Sequence, residues 1–92
     1  MSAIQGIRYI FSYGTYYFTE HLFDELDAEG FSIYDLECSI ANGQIRRTWP
    51  KENKYEVVGR SFDGRMLGCI CRITGANKLI IITAYEYKKR IQ

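Results

Sequence analysis

The hydrophobic pattern of this chain changes period once, at Asn42-Gly43, and that change limits what it can fold into more than any single motif does. Before it, apolar residues recur at spacings of three and four; after it, from Gln44 onward, they alternate. Helices therefore come first and strands last.

In the helical half, Ile4, Ile7, Ile10 and Phe11 predict a helix over Ala3 to Tyr13, with Ser2 as N-cap and Gly14 as its end. Gly6 weakens it by about 1 kcal/mol relative to Ala. Thr15-Tyr16-Tyr17-Phe18 reads as a short strand. Thr19 is placed to cap a second helix from Glu20 to about Glu29, with Leu22, Phe23 and Leu26 on one side and Gly30 as its left-handed stop. Ser32 and Asp35 imitate a capping box for a third helix, carried by Ile33, Leu36 and Ile40 to about Ala41.

The second half reads as four strands: Ile45 to Trp49, Lys54 to Phe62, Arg65 to Thr74 and Lys78 to Tyr87. Pro50 with Lys51-Glu52-Asn53, Asp63-Gly64 and Gly75-Ala76-Asn77 separate them, and Asp63-Gly64 is the strongest hairpin signal. Leu79 to Tyr85 is apolar on both faces, which places that strand inside the sheet. The expected fold class is α+β: two to three N-terminal helices packed on one face of a twisted, mainly antiparallel sheet of four to five strands, its other face open. At 92 residues this is one domain, with no repeat or linker.

A net charge of +1 conceals a division. Met1 to Ile45 holds one basic residue, Arg8, and seven acids, for 1 − 7 = −6; Arg46 to Gln92 holds eleven basic residues and four acids, for 11 − 4 = +7. Helices and sheet on separate layers would turn this into an acidic face and a basic face, although such blocks equally serve only to solvate a surface.

Several chemistries have no support. There is no Gly-rich phosphate loop, no Gly-x-Ser-x-Gly elbow and no paired-carboxylate spacing. Cys38, Cys69 and Cys71 form no Cys-x-x-Cys, and the lone His21 is distant in sequence, so neither a metal nor a cofactor is expected. Cys69 and Cys71 should face the core together as small apolar residues. No signal pattern or apolar run long enough to span a membrane is present, which makes a reducing cytoplasm the default compartment.

What remains is a basic, aromatic sheet carrying Arg46, Arg47, Trp49, Tyr55, Arg60, Arg65, Arg72, Tyr85, Tyr87 and Lys88. Alternation groups Arg47 and Trp49 with Ile45, and Arg46 with Thr48; Tyr85 shares a face with Tyr87, and Ala84 with Glu86. Arginines among aromatics suit RNA, whose phosphates need neutralising and whose unpaired bases stack on rings. A half-solvated sheet whose Arg stems cover apolar surface accounts for the same pattern. His21 lies one step past a helix cap with Glu20 and Asp24 beside it, where the carboxylates favour its charged form and the helix N-terminus opposes it.

The order Tyr17-Phe18-Thr19-Glu20-His21, helix, Gly30-Phe31-Ser32, helix, Asn42-Gly43, Tyr55-x-Val57-x-Gly59, Asp63-Gly64-Arg65 and Ile82-Thr83-Ala84-Tyr85 resembles a small bacterial family of uncharacterised domains. Its hallmark is Thr-x-His, and it lies in the RelE/ParE-like plasmid-toxin superfamily, near the BrnT and MqsR type toxins. The resemblance covers about Thr15 to Tyr87. It implies a RelE-like toxin of a type II toxin–antitoxin pair that cleaves mRNA without metal, leaving a 2′,3′-cyclic phosphate or its hydrolysis product. His21, Asp63-Gly64-Arg65, Thr83 and Tyr85 match family positions. Many relatives carry Arg in the helix after His21, where this chain has Asp24, Glu25, Asp27 and Glu29.

Such cleavage needs a base for the 2′-hydroxyl, cations for the phosphate and an acid for the leaving oxygen. The expected catalytic residues are His21, Tyr85 and Arg60; Arg47, Trp49, Arg65 and Lys88 are expected to bind RNA, with Arg47, Arg60 and Lys88 on phosphate. The implied partner is an antitoxin of zinc-finger or helix-turn-helix type, docked in one arrangement on the acidic helices, and a homodimer is a further expected assembly. The alternative is a non-catalytic RelE-like interaction module that binds a protein or RNA through its basic sheet.

Overall fold

The computed structural model describes residues 2–75 and 78–88. Three helices cover one face of a five-stranded mixed sheet, an α+β arrangement in the order α1 (Ala3–Tyr13), β1 (Thr15–Phe18), α2 (Leu22–Ala28), α3 (Ile33–Asn42), β2 (Gln44–Trp49), a 3-10 turn (Pro50–Glu52), β3 (Lys54–Arg60), β4 (Met66–Thr74) and β5 (Lys78–Glu86).

Helix starts follow their local chemistry. The Ser2 side chain accepts from the Gln5 N–H while the Gln5 side chain accepts from the Ser2 N–H, and Ser32 and Asp35 form the same reciprocal pair at α3. At α2 the cap differs from expectation. His21, not Thr19, occupies the N-cap position and makes no side-chain cap bond. The Thr19 hydroxyl instead donates to the Ile82 carbonyl (2.7 Å) and its N–H to the Ile81 carbonyl (3.2 Å), because pairing with β5 carries past the end of β1 and delays the helix to Leu22. Gly30 ends α2 at φ +73°.

The sheet order is β1-β5-β4-β3-β2. β5 is internal, as its two apolar faces predict. β1 joins it in parallel, Thr15 opposite Lys78 through Phe18 opposite Ile81, and the remaining pairs are antiparallel. β3 ends at Arg60 rather than Phe62, since Ser61 to Arg65 form a wider turn, closed by Ser61 N–H to Arg65 carbonyl (2.7 Å) and Gly64 N–H to Ser61 carbonyl (3.1 Å). The predicted turn at Ala76-Asn77 and the basic residues Lys89 and Arg90 lie outside the described residues.

The core joins Ile7 and Ile10 of α1, Leu22 and Leu26 of α2, and Leu36 and Ile40 of α3 to Val57, Leu67, Cys69, Cys71, Leu79, Ile81 and Ala84. Each such buried aliphatic side chain contributes about 1.5–3 kcal/mol. Cys69 and Cys71 do face this core together. α3 lies directly on β3, where a Cβ on Gly59 would stand 2.0 Å from the Ser39 carbonyl oxygen. Arg8, the one cation of the acidic half, ties α1 to the end of α3 through the Ile40 carbonyl (3.1 Å).

One face assignment is corrected. The register of β2 against β3 shifts between Ile45 and Arg47, so that Ile45 pairs with Val57 and Arg47 with Glu56. This bulge at Arg46 keeps Ile45 against the core while sending Arg47 to the open face, on the side opposite Ile45 rather than beside it.

Candidate functional site

Among the described residues no helix covers the second face of the sheet, and the register sets out its residues in rows. One row runs Ile80, Arg72, Lys54, Trp49; the next Thr83, Ile70, Glu56, Arg47; the third Tyr85, Gly68, Val58, Gln44. Glu56 stands at the middle of this face and is only 3% exposed.

A buried carboxylate must be satisfied by strong donors. Arg47 reaches Glu56 from the neighbouring strand with Nε to Oε1 at 3.0 Å and an Nη to Oε2 at 3.3 Å. The Tyr85 hydroxyl donates to the same Oε2 from two strands away. That reach depends on Gly68 between them. A Cβ at Gly68 would lie 2.6 Å from Tyr85 Cε2 and 2.9 Å from Cζ, so the phenol ring lies flat across the space where β4 has no side chain.

The three groups set one another's protonation. Burial pushes the Glu56 carboxyl up, but the hydrogen bonds from Arg47 and Tyr85 and the charges of Arg47 and Arg46 outweigh it, so the net shift is downward. Burial, and then the hydrogen bond to and charge of Glu56, raise the Tyr85 hydroxyl well above its ordinary value. Arg47 is raised by its hydrogen bond to Glu56 and by that charge. The site therefore holds an ionised acceptor, a proton-bearing phenol and a fixed cation.

Trp49 borders this cluster, with the Arg47 guanidinium 5.0 Å and the Lys54 ammonium 4.9 Å from its ring centroid. Beyond it, Glu52 holds Lys54 at 3.6 Å and Arg72 at 3.8 Å. Arg46 stands over the Tyr87 ring at 6.0 Å. Arg60, at the end of β3, and Lys88, just after β5, are exposed at one end of the sheet.

His21 lies at the sheet's β5 margin with its side chain 60% exposed, Nε2 being 4.0 Å from Glu25 Oε1. Glu25 Oε2 accepts from the Thr83 hydroxyl (2.8 Å), and Thr83 stands two residues before Tyr85 on the same face. Polar groups thus lead from His21 toward the open face, with a break at Glu25 Oε1, which accepts no hydrogen bond among the described residues. Arg65 is elsewhere. Its side chain lies on the helical side, donating to the Glu29 and Gly30 carbonyls (2.8 and 2.9 Å) and to Asp63 (2.8 Å), with its guanidinium 4.1 Å from the Phe31 ring centroid.

Of the residues expected from sequence, the structure brings together Arg47, Trp49 and Tyr85. Arg60 and Lys88 lie at one end of the same sheet, His21 at its margin and Arg65 behind it. Sequence reading missed Glu56 and Gly68. Alternation along β3 does put Glu56 on the face opposite Val57, but only the bulge and cross-strand register reveal that Arg47 and Tyr85 converge on it.

Among the described residues, no group of three His, Cys, Asp or Glu side chains is placed to hold a metal ion. The hydrogen bond to the Cys71 thiol and then full burial push the free Cys69 thiol far up, away from the thiolate form that a nucleophile needs. No helix among the described residues is long and apolar enough to cross a membrane.

Residues 18–86 match the family model described as Domain of unknown function (DUF4258). The chain belongs to this family. Among solved structures, the fold is similar to the crystal structure of the Brucella abortus ribonuclease toxin BrnT, with a TM-score of 0.60 and 13% identity over 82% of this chain and 99% of that one. No curated protein matches the sequence.

Proposed function

We propose that this DUF4258 domain is a RelE/ParE-like toxin that acts as a metal-independent endoribonuclease on mRNA, cutting on its open sheet face. The observation that carries the reading is the convergence of Arg47 and Tyr85 on the buried Glu56 carboxylate, beside Trp49, on a face left uncovered. The likeness to a ribonuclease toxin supports the same direction.

The chemistry follows from the three protonation states. Glu56, the ionised acceptor, takes the proton of the 2′-hydroxyl; O2′ attacks phosphorus and the P–O5′ bond breaks. Tyr85 gives its proton to the departing O5′, and Arg47 carries the charge on the non-bridging oxygens. The proton on Glu56 then returns to the Tyr85 phenolate along their hydrogen bond, restoring the starting state and leaving a 2′,3′-cyclic phosphate. Trp49 stacks an unpaired base, while Arg60 and Lys88 hold flanking phosphates. His21, exposed at the β5 margin beside Glu25, is a second candidate acid or base for a strand that crosses β5. Arg65 is left out of the phosphate set because its donors are engaged behind the sheet.

In the cell such a toxin acts in the cytoplasm and is held by an antitoxin of zinc-finger or helix-turn-helix type. One observation favours the other reading, a binding module without catalysis: the charge of Arg47 is already matched by Glu56. Expression and purified-protein assays separate them. The toxin reading expects growth arrest and cleavage of single-stranded RNA in the presence of EDTA, with both lost in Glu56→Gln and Tyr85→Phe and reduced in His21→Ala. Harmless expression together with RNA binding but no cleavage would establish the binding module instead.

A further inference from the structure

A second surface lies on the helical side, away from the candidate site. A groove of about 730 Å³ runs between the start of α3 and the β3–β4 turn, lined by Ser32, Tyr34, Asp35, Cys38, Phe62 and Asp63. Two of its aromatic residues face solvent, Tyr34 at 70% exposure and Phe62 at 83%. Exposed rings of this size flanking one groove are uncommon on a surface with no partner.

Phe62 is not on a loose loop. Its N–H donates to Asp35 Oδ1 at 2.9 Å, and the turn that carries it is closed by two backbone bonds and by the contact between the Ser61 hydroxyl and Asp63. An aromatic residue held in place before binding loses little freedom on binding, which is how anchor residues of protein interfaces act.

The electrostatics select the occupant. Asp35, at the base of the groove, is bonded only by the Ser32 N–H, the Ser32 hydroxyl and the Phe62 N–H, and it makes no ion pair among the described residues. Among the described residues no Lys or Arg lines the groove. The Arg65 guanidinium pairs with Asp63 at its edge (2.8 Å) and otherwise turns toward Glu29 and Gly30, which leaves Asp35 as the groove's uncompensated carboxylate. The α3 wall of the groove, Ser32 to Cys38, belongs to the acidic half of the sequence, and the other wall adds the carboxylate of Asp63. Such a lining offers RNA no cation for its phosphates. A second copy meeting it through its own groove would bring like charges together.

We propose that this groove docks a cationic segment of a partner protein, with an apolar side chain between Tyr34 and Phe62 and a Lys or Arg of the same segment over Asp35. The surface is independent of the RNA-cleaving reading and stands or falls without it.

The test measures binding of a short amphipathic Lys/Leu peptide, and of its Glu/Leu counterpart, by isothermal titration calorimetry on the whole protein. Binding of the Lys/Leu peptide alone is expected, weakened about tenfold or more by Phe62→Ser and by Tyr34→Ser, and unchanged by Arg47→Ala on the opposite face. Both groove variants alter exposed rings, so folding, checked by circular dichroism, should be intact. Equal binding by Phe62→Ser and the parent, or equal binding of the two peptides, overturns the proposal. So does a homodimer, seen by sedimentation, that Phe62→Ser dissociates, since the groove would then belong to a second copy.

Discussion

Arg47 and Arg65 come from the same basic half of the chain, each pairs with a carboxylate and each stacks on an aromatic ring, yet they are placed for opposite work. Arg47 lies on the uncovered face, its side chain 62% exposed, and its bonds go to Glu56 alone. Arg65 is 33% exposed and is spent on two carbonyls at the end of α2, on Asp63 and on the Phe31 ring. The first can exchange its partner for an incoming phosphate without loosening any helix. The second cannot, because it holds the turn that follows α2 through the Glu29 and Gly30 carbonyls. Residue type and charge do not separate these two arginines; the number and kind of acceptors already engaged do.

The largest effect that bears on this contrast is expected from Arg47→Ala. Removing the cation proposed to face the transition-state charge should lower RNA cleavage by about 100- to 1000-fold; circular dichroism should show the fold retained, with a lowered melting temperature because the buried Glu56 carboxylate loses its cation. Gly68→Ala comes next. The added methyl would sit 2.6 Å from Tyr85 Cε2, so the ring must leave Glu56. Cleavage should drop by about tenfold or more, and urea unfolding should register about 1–3 kcal/mol of lost stability from overpacking.

Arg65→Ala is the counter-test. It should cost about 1–3 kcal/mol in urea unfolding, from the lost hydrogen bonds to the Glu29 and Gly30 carbonyls and to Asp63 and from the lost contact with the Phe31 ring, with cleavage per folded molecule within about twofold of the parent. A large loss of cleavage with stability unchanged would merge the two arginines into one class. Arg60→Ala and Lys88→Ala should act more weakly, each flattening the salt dependence of single-stranded RNA binding by about 0.7 in log–log slope.

The smallest effect is one of pH and sits on the structural side. Asp63 is held at about 2 by the Ser61 hydroxyl first, then by the Arg65 N–H and guanidinium, against an ordinary 3.8. A carboxyl depressed in the folded state contributes stability that is present above its unfolded value and is lost as pH falls from about 4 to about 2. Melting temperature across that window should therefore fall less steeply in Asp63→Asn than in the parent.

The parts of this molecule that the sequence made legible are the local ones. Ser2, Ser32 with Asp35, Gly30 and Asp63-Gly64 act within a few residues of themselves, and the helices and hairpin they delimit stand where the pattern put them. Thr19 misled because its hydroxyl found a carbonyl on β5, sixty-three positions away. The bulge at Arg46 reversed the face of Ile45, and no periodicity argument contains a bulge. The candidate site is less legible still: Tyr85, Gly68 and Glu56 come from three strands, and only their register turns an unremarkable acid and glycine into a buried anion and the gap that lets a phenol reach it.

The most direct test of that division is a side-by-side measurement of single-turnover cleavage of one short single-stranded RNA, in EDTA, by the parent, Arg47→Ala and Arg65→Ala, each scaled to its folded fraction. Parent-like cleavage by Arg65→Ala with almost none by Arg47→Ala is the predicted result. Undiminished cleavage by Arg47→Ala would contradict the account, because the open face would then not be where the RNA is cut.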